Sequence, residues 1–203
     1  SVAATDLNAA IGVGQIRLAG DLTVINITSG FETATLDLYN NTNTGSNTIK
    51  LSATDGNWAV TASKLTTVLG DGVRLAGDLT VTNITNEANA LTDFTSVTTA
   101  ANSVTLTGDG AWTVAANQLT TALDTTAGTG AKIKFAATDT LTVTGIAAGA
   151  AETAALTAFT VPLTGADRVI LTATDSNWSV ASEDLAVALT EGVNFAGTLT
   201  VTG

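Results

Sequence analysis

Two kinds of segment alternate along the whole chain, and this internal repetition constrains the fold more than any other feature. The first kind, called type A here, reads IRLAGDLTV, VRLAGDLTV, IKFAATDTLTV and VNFAGTLTV, starting at Ile16, Val73, Ile133 and Val193. The second kind, type B, contains all three tryptophans and reads IKLSATDGNWAV, VTLTGDGAWTV and VILTATDSNWSV. The combined period is about 60 residues, so that a half-unit of about 30 residues falls within the range of stacked repeat proteins.

Both types alternate apolar and polar residues with a period of two, which predicts half-buried β-strands. In VRLAGDLTV, the residues Val73, Leu75, Leu79 and Val81 share one parity. In type B the tryptophan takes the place of the third of these residues, so Trp112 is expected where type A has Leu79. We expect each segment to bend between its two halves, because glycine, aspartate and asparagine cluster there.

The segments that follow the strands carry leucines at helical spacing. After type B, leucines recur at i and i+4, as at Leu65 and Leu69, and after type A a leucine precedes an aromatic residue by three positions, as at Leu36 and Tyr39. This spacing predicts short helices or turns. We therefore expect a β-rich solenoid whose coils each contain a strand, a bend, a second strand and a short helix or turn. An all-β solenoid or β-helix is the alternative fold, whereas tandem immunoglobulin-like domains would each need about 100 residues.

The repeats predict one array over residues 1–203, without a linker. It divides into a partial B coil at 1–15, repeats at 16–72, 73–130 and 131–192, and a partial A coil at 193–203. Neither end carries a polar cap, so we expect apolar terminal coils with unpaired strand edges. Two explanations fit: the chain is part of a longer array, or identical chains stack end to end. The expected assembly residues are Ser1, Val2, Val193, Phe195, Leu199 and Val201.

The tryptophans allow two interpretations. They suit carbohydrate stacking if the aspartate three positions before each ring binds sugar hydroxyls, and they suit the core if that aspartate is a turn residue. Each tryptophan shares its parity with valine and leucine, which favours the core. The expected core rungs are Trp58, Trp112 and Trp178, and the turn residues are Asp55, Asp109 and Asp175.

Composition excludes several classes of function. The chain has no His, Cys or Met, which removes imidazole bases, thiol nucleophiles and soft metal ligands. No catalytic triad or phosphate-binding loop can be assembled, so we expect neither an enzyme nor a cofactor. The net charge of −11 argues against nucleic acid, and the absence of an apolar run of about 20 residues argues against membrane insertion.

The sequence also bears on calcium binding and on ice binding. The calcium-binding nonapeptide and the EF-hand loop are both missing, so calcium stays open only at contacts between acidic subunits. Alternating threonines are interpreted as exposed strand residues, because type B segments interrupt the regular array that an ice-binding face needs.

The phrases LTVT and VxAxxLxxxL, as at Leu79–Thr82 and Val60–Leu69, recur through nearly the whole chain. They resemble the Thr/Ala-rich repeats of bacterial surface-layer proteins and large secreted adhesins. The resemblance implies a prokaryotic protein at the cell surface or outside the cell. With the uncapped ends, it predicts a structural protein that assembles with itself into a surface layer or filament. An adhesin stalk or carbohydrate-binding solenoid, with a glycan as partner, is the alternative.

Overall fold

The computed structural model describes residues 1–12, 18–28, 31–39, 44, 46, 48–123 and 133–203. Its contacts divide the chain into two compact units, unit 1 (residues 1–84 and 93–105) and unit 2 (residues 85–92 and 106–203). The expected start of the first type A segment at Ile16 and Arg17 lies outside the described residues. The end of the partial B coil and the boundary between the second and third repeats also lie outside them.

Helices and strands alternate through the described chain. In order they are β1 (Val2–Ala3), α1 (Ala4–Gly12), β2 (Leu22–Ile27), α2 (Glu32–Leu38), β3 (Ile49–Thr61), α3 (Ala62–Gly70), β4 (Val73–Thr82), α4 (Glu87–Asp93), α5 (Ser96–Thr99), β5 (Ser103–Leu106), β6 (Ala111–Ala115), α6 (Ala116–Leu123), β7 (Ile133–Phe135), β8 (Thr140–Ile146), α7 (Ala150–Ala158), α8 (Val161–Thr164), β9 (Arg168–Ala181), α9 (Ser182–Thr190) and β10 (Val193–Thr202).

The strands form two parallel sheets, of six and four strands. Unit 1 contains the order β1-β2-β3-β4-β5, and unit 2 contains the order β10-β9-β8-β6. Helices lie between many successive strands, for example α3 between β3 and β4. The expected β-rich solenoid is therefore wrong, as is its all-β alternative, because the chain has an α/β fold.

The reason for this error lies in the connections and in the bends. The segments predicted as short helices or turns are helices long enough to connect parallel strands, and α3 and α9 each contain nine residues. Such a helix carries the chain back to the start of the next strand, which is how parallel strands are connected. In β3 and β9 the two halves of a type B segment also remain one strand, of 13 and 14 residues, whereas the segment at 104–114 divides into β5 and β6.

The bend between the halves is a bulge in the parallel pairing of type B with type A. Ser52 pairs with Ala76 and Asn57 with Asp78, so that residues 53–56 of β3 lie opposite the single residue Gly77 of β4. Gly77 has a φ of +116°, and a Cβ atom there would lie 2.1 Å from the carbonyl oxygen of Gly56. A glycine is therefore required at this position.

One parity of each strand forms the core. Leu75 and Val81 of β4 are fully buried, as are Leu141 and Val143 of β8 in unit 2. Leu65 of α3 adds a helical side chain to the core of unit 1, where it is also fully buried. The alternation in the sequence thus corresponds to an inner apolar face on both sheets.

Candidate assembly surface

All three tryptophans lie in the core, each opposite a leucine of the type A strand that follows it. Their exposed fractions are between 1% and 2%. The pairs in register are Trp58 with Leu79, Trp112 with Leu141, and Trp178 with Leu199. The indole rings are therefore not available to stack on a sugar.

The indole N–H groups are hydrogen-bonded inside the protein. Trp58 Nε1 donates to the Ala76 carbonyl oxygen at 3.0 Å, and Trp178 Nε1 donates to that of Ala196 at 3.1 Å. Trp112 Nε1 donates instead to the Asp139 carboxylate at 2.7 Å, and this carboxylate is itself buried. Buried tryptophans normally find such a partner for their N–H.

The aspartate that precedes each tryptophan stabilises the bend. Its side-chain oxygen accepts a hydrogen bond from the backbone N–H two residues later, an Asx-turn arrangement. The three bonds join Asp55 to Asn57 at 3.0 Å, Asp109 to Ala111 at 3.3 Å, and Asp175 to Asn177 at 3.0 Å. These side chains therefore have a local structural role.

The edge strand β10 places four of the expected assembly residues on one element. Val193 is buried and Phe195 is half-buried, with its ring edge-on to Trp178 at a centroid distance of 5.0 Å. Leu199 and Val201 are 36% and 49% exposed. β10 pairs with β9 on one side, and among the described residues no strand pairs with its other side. We call this unpaired side the β10 free edge.

The exposure of Leu199 and Val201 follows from the missing neighbour, and β8 shows this directly. The hexapeptide TLTVTG occurs at residues 140–145 in β8 and again at 198–203 in β10. In β8, Leu141 and Val143 are fully buried, and β9 pairs alongside them. Among the described residues, β8 has a strand on both sides and β10 has β9 on one side only, which accounts for the change of the same residues from buried to exposed.

The helix before β10 adds two exposed apolar residues that the sequence analysis missed. Val187 and Leu189 of α9 are 58% and 55% exposed. In the two earlier helices of this kind, the position of Val187 is taken by Thr67 and Thr121, which are also exposed. The replacement of an exposed threonine by valine is the sequence signal that could have indicated this surface.

The other two expected assembly residues belong to unit 1. Ser1 is exposed and Val2 is half-buried. β1 pairs in parallel with β2 through Val2 opposite Val24, the same register as Val60 opposite Val81 in β3 and β4. β1 is therefore equivalent to the second half of a type B strand.

A cleft of about 250 Å³ lies in unit 1 and is a second surface that the sequence analysis missed. Its lining includes the side chains of Asn8, Asn26 and Phe31, and the Phe31 ring is 64% exposed. Tyr39 lies nearby under Ala4, where its hydroxyl donates to the Ala4 carbonyl oxygen at 2.9 Å. Burial raises the pKa of this tyrosine above its ordinary value of 10.0.

No cluster of three or more carboxylates able to hold a metal ion is found in the described part of the chain. None of the helices described is long and apolar enough to cross a membrane. Comparison with protein-family models, with curated proteins and with solved structures finds no match to this chain.

Proposed function

We propose that the protein is an extracellular structural protein that assembles with itself into a filament or surface layer through the β10 free edge. The observation that carries this proposal is a hexapeptide that occurs twice in the chain, in two different surroundings. TLTVTG buries its leucine and valine in β8, which has a strand on both sides, and exposes them in β10, which among the described strands pairs with β9 alone. An unpaired strand side supports this proposal because it can accept a further strand.

The edge also lacks the usual protection against strand addition. Soluble proteins keep edge strands from pairing with charged side chains, especially lysine, and with proline. β10 reads VNFAGTLTVT and has neither a charge nor a proline. Full burial of a leucine or valine side chain stabilises by about 1.5–3 kcal/mol, so covering Leu199 and Val201 favours association.

The cell-surface location and the non-enzymatic role rest on composition and resemblance. A net charge of −11 without His or Cys fits a structural role better than catalysis or nucleic-acid binding. Because acidic copies repel one another at long range, assembly should strengthen as salt or calcium screens that repulsion. Calcium is therefore proposed only as a screening ion between subunits.

Sedimentation and negative-stain microscopy test the proposal across a range of protein concentrations, with and without calcium. We expect the wild type to form larger species as concentration rises. The double variant Leu199→Lys/Val201→Lys is expected to remain monomeric, because two charges would have to be buried. The control Leu163→Lys makes the same change at a residue of α8 that is 52% exposed, and it should assemble like the wild type. Monomeric wild type at every concentration contradicts the proposal.

Glycan binding is the second candidate function, and the unit 1 cleft is the observation that favours it. An exposed aromatic ring beside side-chain amides is a common arrangement for sugars, and Phe31 lies in one cleft with Asn8 and Asn26. A glycan array probed with the wild type and with Phe31→Ala tests this candidate. Binding that is lost in Phe31→Ala and retained in Leu163→Ala supports it, and the absence of binding by the folded wild type contradicts it.

A further inference from the structure

We propose that Asn26 and Asn83 are modification sites, each carrying a sugar linked to its side-chain amide. Each begins the sequence Asn-Ile-Thr, which ends at Thr28 and Thr85. Asn-x-Ser/Thr, where x is not proline, is the acceptor motif for N-linked glycosylation. The inference rests on the proposed location outside the cell, and it does not depend on self-assembly.

The two asparagines occupy the same place in successive type A segments, where the backbone is left-handed. Their φ values are +60° and +57°, and Gly145 at the equivalent place in β8 has a φ of +74°. In β2 and β8 this residue lies where the register with the neighbouring strand shifts. Glycine and asparagine are the residues that adopt a left-handed conformation most readily. The fold therefore accounts for the asparagine of the motif.

The fold does not account for the threonine two residues later. The third copy of the pattern reads Gly-Ile-Ala, so that Ala147 takes the place of Thr28 and Thr85. Both threonines are exposed, as are Asn26 and Asn83. Within the described chain, none of these four side chains has a hydrogen-bond partner. The amide and the hydroxyl of each motif are therefore both accessible to a transferase.

The first motif also lies in the unit 1 cleft. Asn26, Ile27 and Thr28 all contribute to its lining, together with Phe31, whose ring is 64% exposed. A sugar linked to Asn26 would begin inside this cleft, where its apolar face can cover the exposed ring. None of the described residues that line the cleft is charged, which suits an uncharged sugar.

A third motif, Asn177-Trp178-Ser179, lies in a different environment and provides an internal comparison. The Asn177 Nδ2 atom donates to the Asp175 carbonyl oxygen at 2.9 Å. Asn177 and Ser179 are both paired with residues of β10. Because the amide has a partner and the backbone is held in a sheet, we expect no sugar at Asn177. A fourth motif, at Asn40, lies outside the described residues.

The transfer needs one co-reactant, a sugar linked through its C1 atom to a diphosphate. The asparagine Nδ2 atom attacks C1, so that a bond between Nδ2 and C1 forms and the bond from C1 to the diphosphate oxygen breaks. The diphosphate leaves with the bonding electron pair, and one amide proton passes to a base of the transferase. No group is oxidised or reduced.

Mass spectrometry of the protein released by the cells that produce it tests this assignment. After denaturation and proteolysis, we expect sugar on the peptides that contain Asn26 and Asn83, and none on the peptide that contains Asn177. A covalently linked sugar survives denaturation, whereas a glycan that is only bound in the cleft is lost.

The absence of sugar from either Asn26 or Asn83 in the released protein overturns the assignment while the proposed location stands. An equal sugar content at Asn177 also overturns it, because the motif would then be modified regardless of its environment. Protein that is found only inside the cells and carries no sugar contradicts both the assignment and the location.

Variants of the third motif residue test the acceptor role at each site separately. Thr28→Ala and Thr85→Ala should each lose the sugar at their own motif and keep it at the other. Thr28→Ser and Thr85→Ser retain the hydroxyl and should keep the sugar. Thr33→Ala removes an exposed threonine of α2 that belongs to no motif, and it should keep both sugars. Each variant is checked for folding by circular dichroism, and sugar retained at Asn26 in Thr28→Ala would contradict the acceptor role.

Discussion

At the scale of single residues, the bulges depend on two glycines that approach the neighbouring strand. Gly77 and Gly197 have φ values of +116° and +104°. Added Cβ atoms would lie 2.1 Å from the Gly56 oxygen and 2.3 Å from the Ser176 oxygen. Because these oxygens belong to the backbone, the clash cannot be relieved by a side-chain rotation. In β4 and β10 the glycine is therefore required by close contact as well as by backbone conformation.

Gly77→Ala is expected to lower the free energy of unfolding by at least about 2 kcal/mol, since it adds backbone strain to a steric clash. The matched control is Gly70→Ala in α3, where a Cβ atom meets nothing within 4 Å. This control should leave stability unchanged or raise it by up to about 1 kcal/mol, because alanine favours the helix. Chemical denaturation of both variants measures the difference. Equal effects would show that Gly77 is not needed at the bulge.

The burial of Tyr39 leads us to expect that the free energy of unfolding depends on pH in the alkaline range. Burial raises the pKa of Tyr39 above 10.0, so the unfolded chain loses this proton at a lower pH than the folded chain. The contribution of Tyr39 to the free energy of unfolding is thus fully present below pH 10. It falls as the pH rises further, by at most about 1.4 kcal/mol per pH unit. Tyr39 is the single tyrosine of the chain, so its ionisation is followed directly by absorbance.

The control for this prediction is Tyr39→Phe, which removes the titrating group but keeps the ring. The difference in unfolding free energy between wild type and variant should be constant below pH 10 and should shrink above it. A difference that stays constant through the alkaline range would contradict the burial of the phenol.

At the scale of elements, the sequence predicts which face of a strand is buried better than it predicts which strands pair. Alternation in VRLAGDLTV separates Leu75 and Val81 from the outward residues, and in the structure both are fully buried. A period of two reports which face is buried and is silent on strand direction, so it did not reveal the parallel sheets. Leucines four positions apart predict a short helix or turn after type B, and α3 extends there over nine residues.

The helices differ in how deeply their leucines are buried, which gives a prediction for α3 and α9. Leu65 of α3 is fully buried and Leu189 of α9 is 55% exposed. Leu65→Ala should lower the free energy of unfolding by about 2–5 kcal/mol, because it leaves a cavity. Leu189→Ala should cost less than about 1 kcal/mol in dilute, monomeric protein. Denaturation of both variants at low concentration measures this, and similar losses would contradict the assignment of α9 as an open surface.

The candidate assembly surface was only partly predictable from the sequence. Apolar alternation indicated Leu199 and Val201, and repetition indicated that they correspond to Leu141 and Val143. Which copy of the pattern lacks a neighbour depends on the order of strands in the sheet, and alternation does not encode that order. The exposure of Val187 is predictable only from a comparison between helices. The cleft around Phe31 is visible only in the three-dimensional structure.

At the scale of the whole molecule, a strongly acidic surface opposes the association that the apolar edge favours. The net charge of −11 makes copies repel one another, and salt shortens the range of this repulsion. The burial of Leu199 and Val201 stabilises association only once two copies are in contact. Assembly is therefore expected to depend on ionic strength in its onset and on the β10 free edge in its geometry. We therefore expect the β10 free edge to become covered when copies of the chain meet.

Hydrogen–deuterium exchange of the two TLTVTG hexapeptides tests this claim most directly, because each molecule carries its own control. At low concentration, residues 140–143 should be protected and residues 198–201 should exchange rapidly at the free edge. As the concentration rises, protection should appear at 198–201 and stay unchanged at 140–143. Rapid exchange at residues 198–201 in concentrated protein, with or without calcium, would contradict assembly through β10.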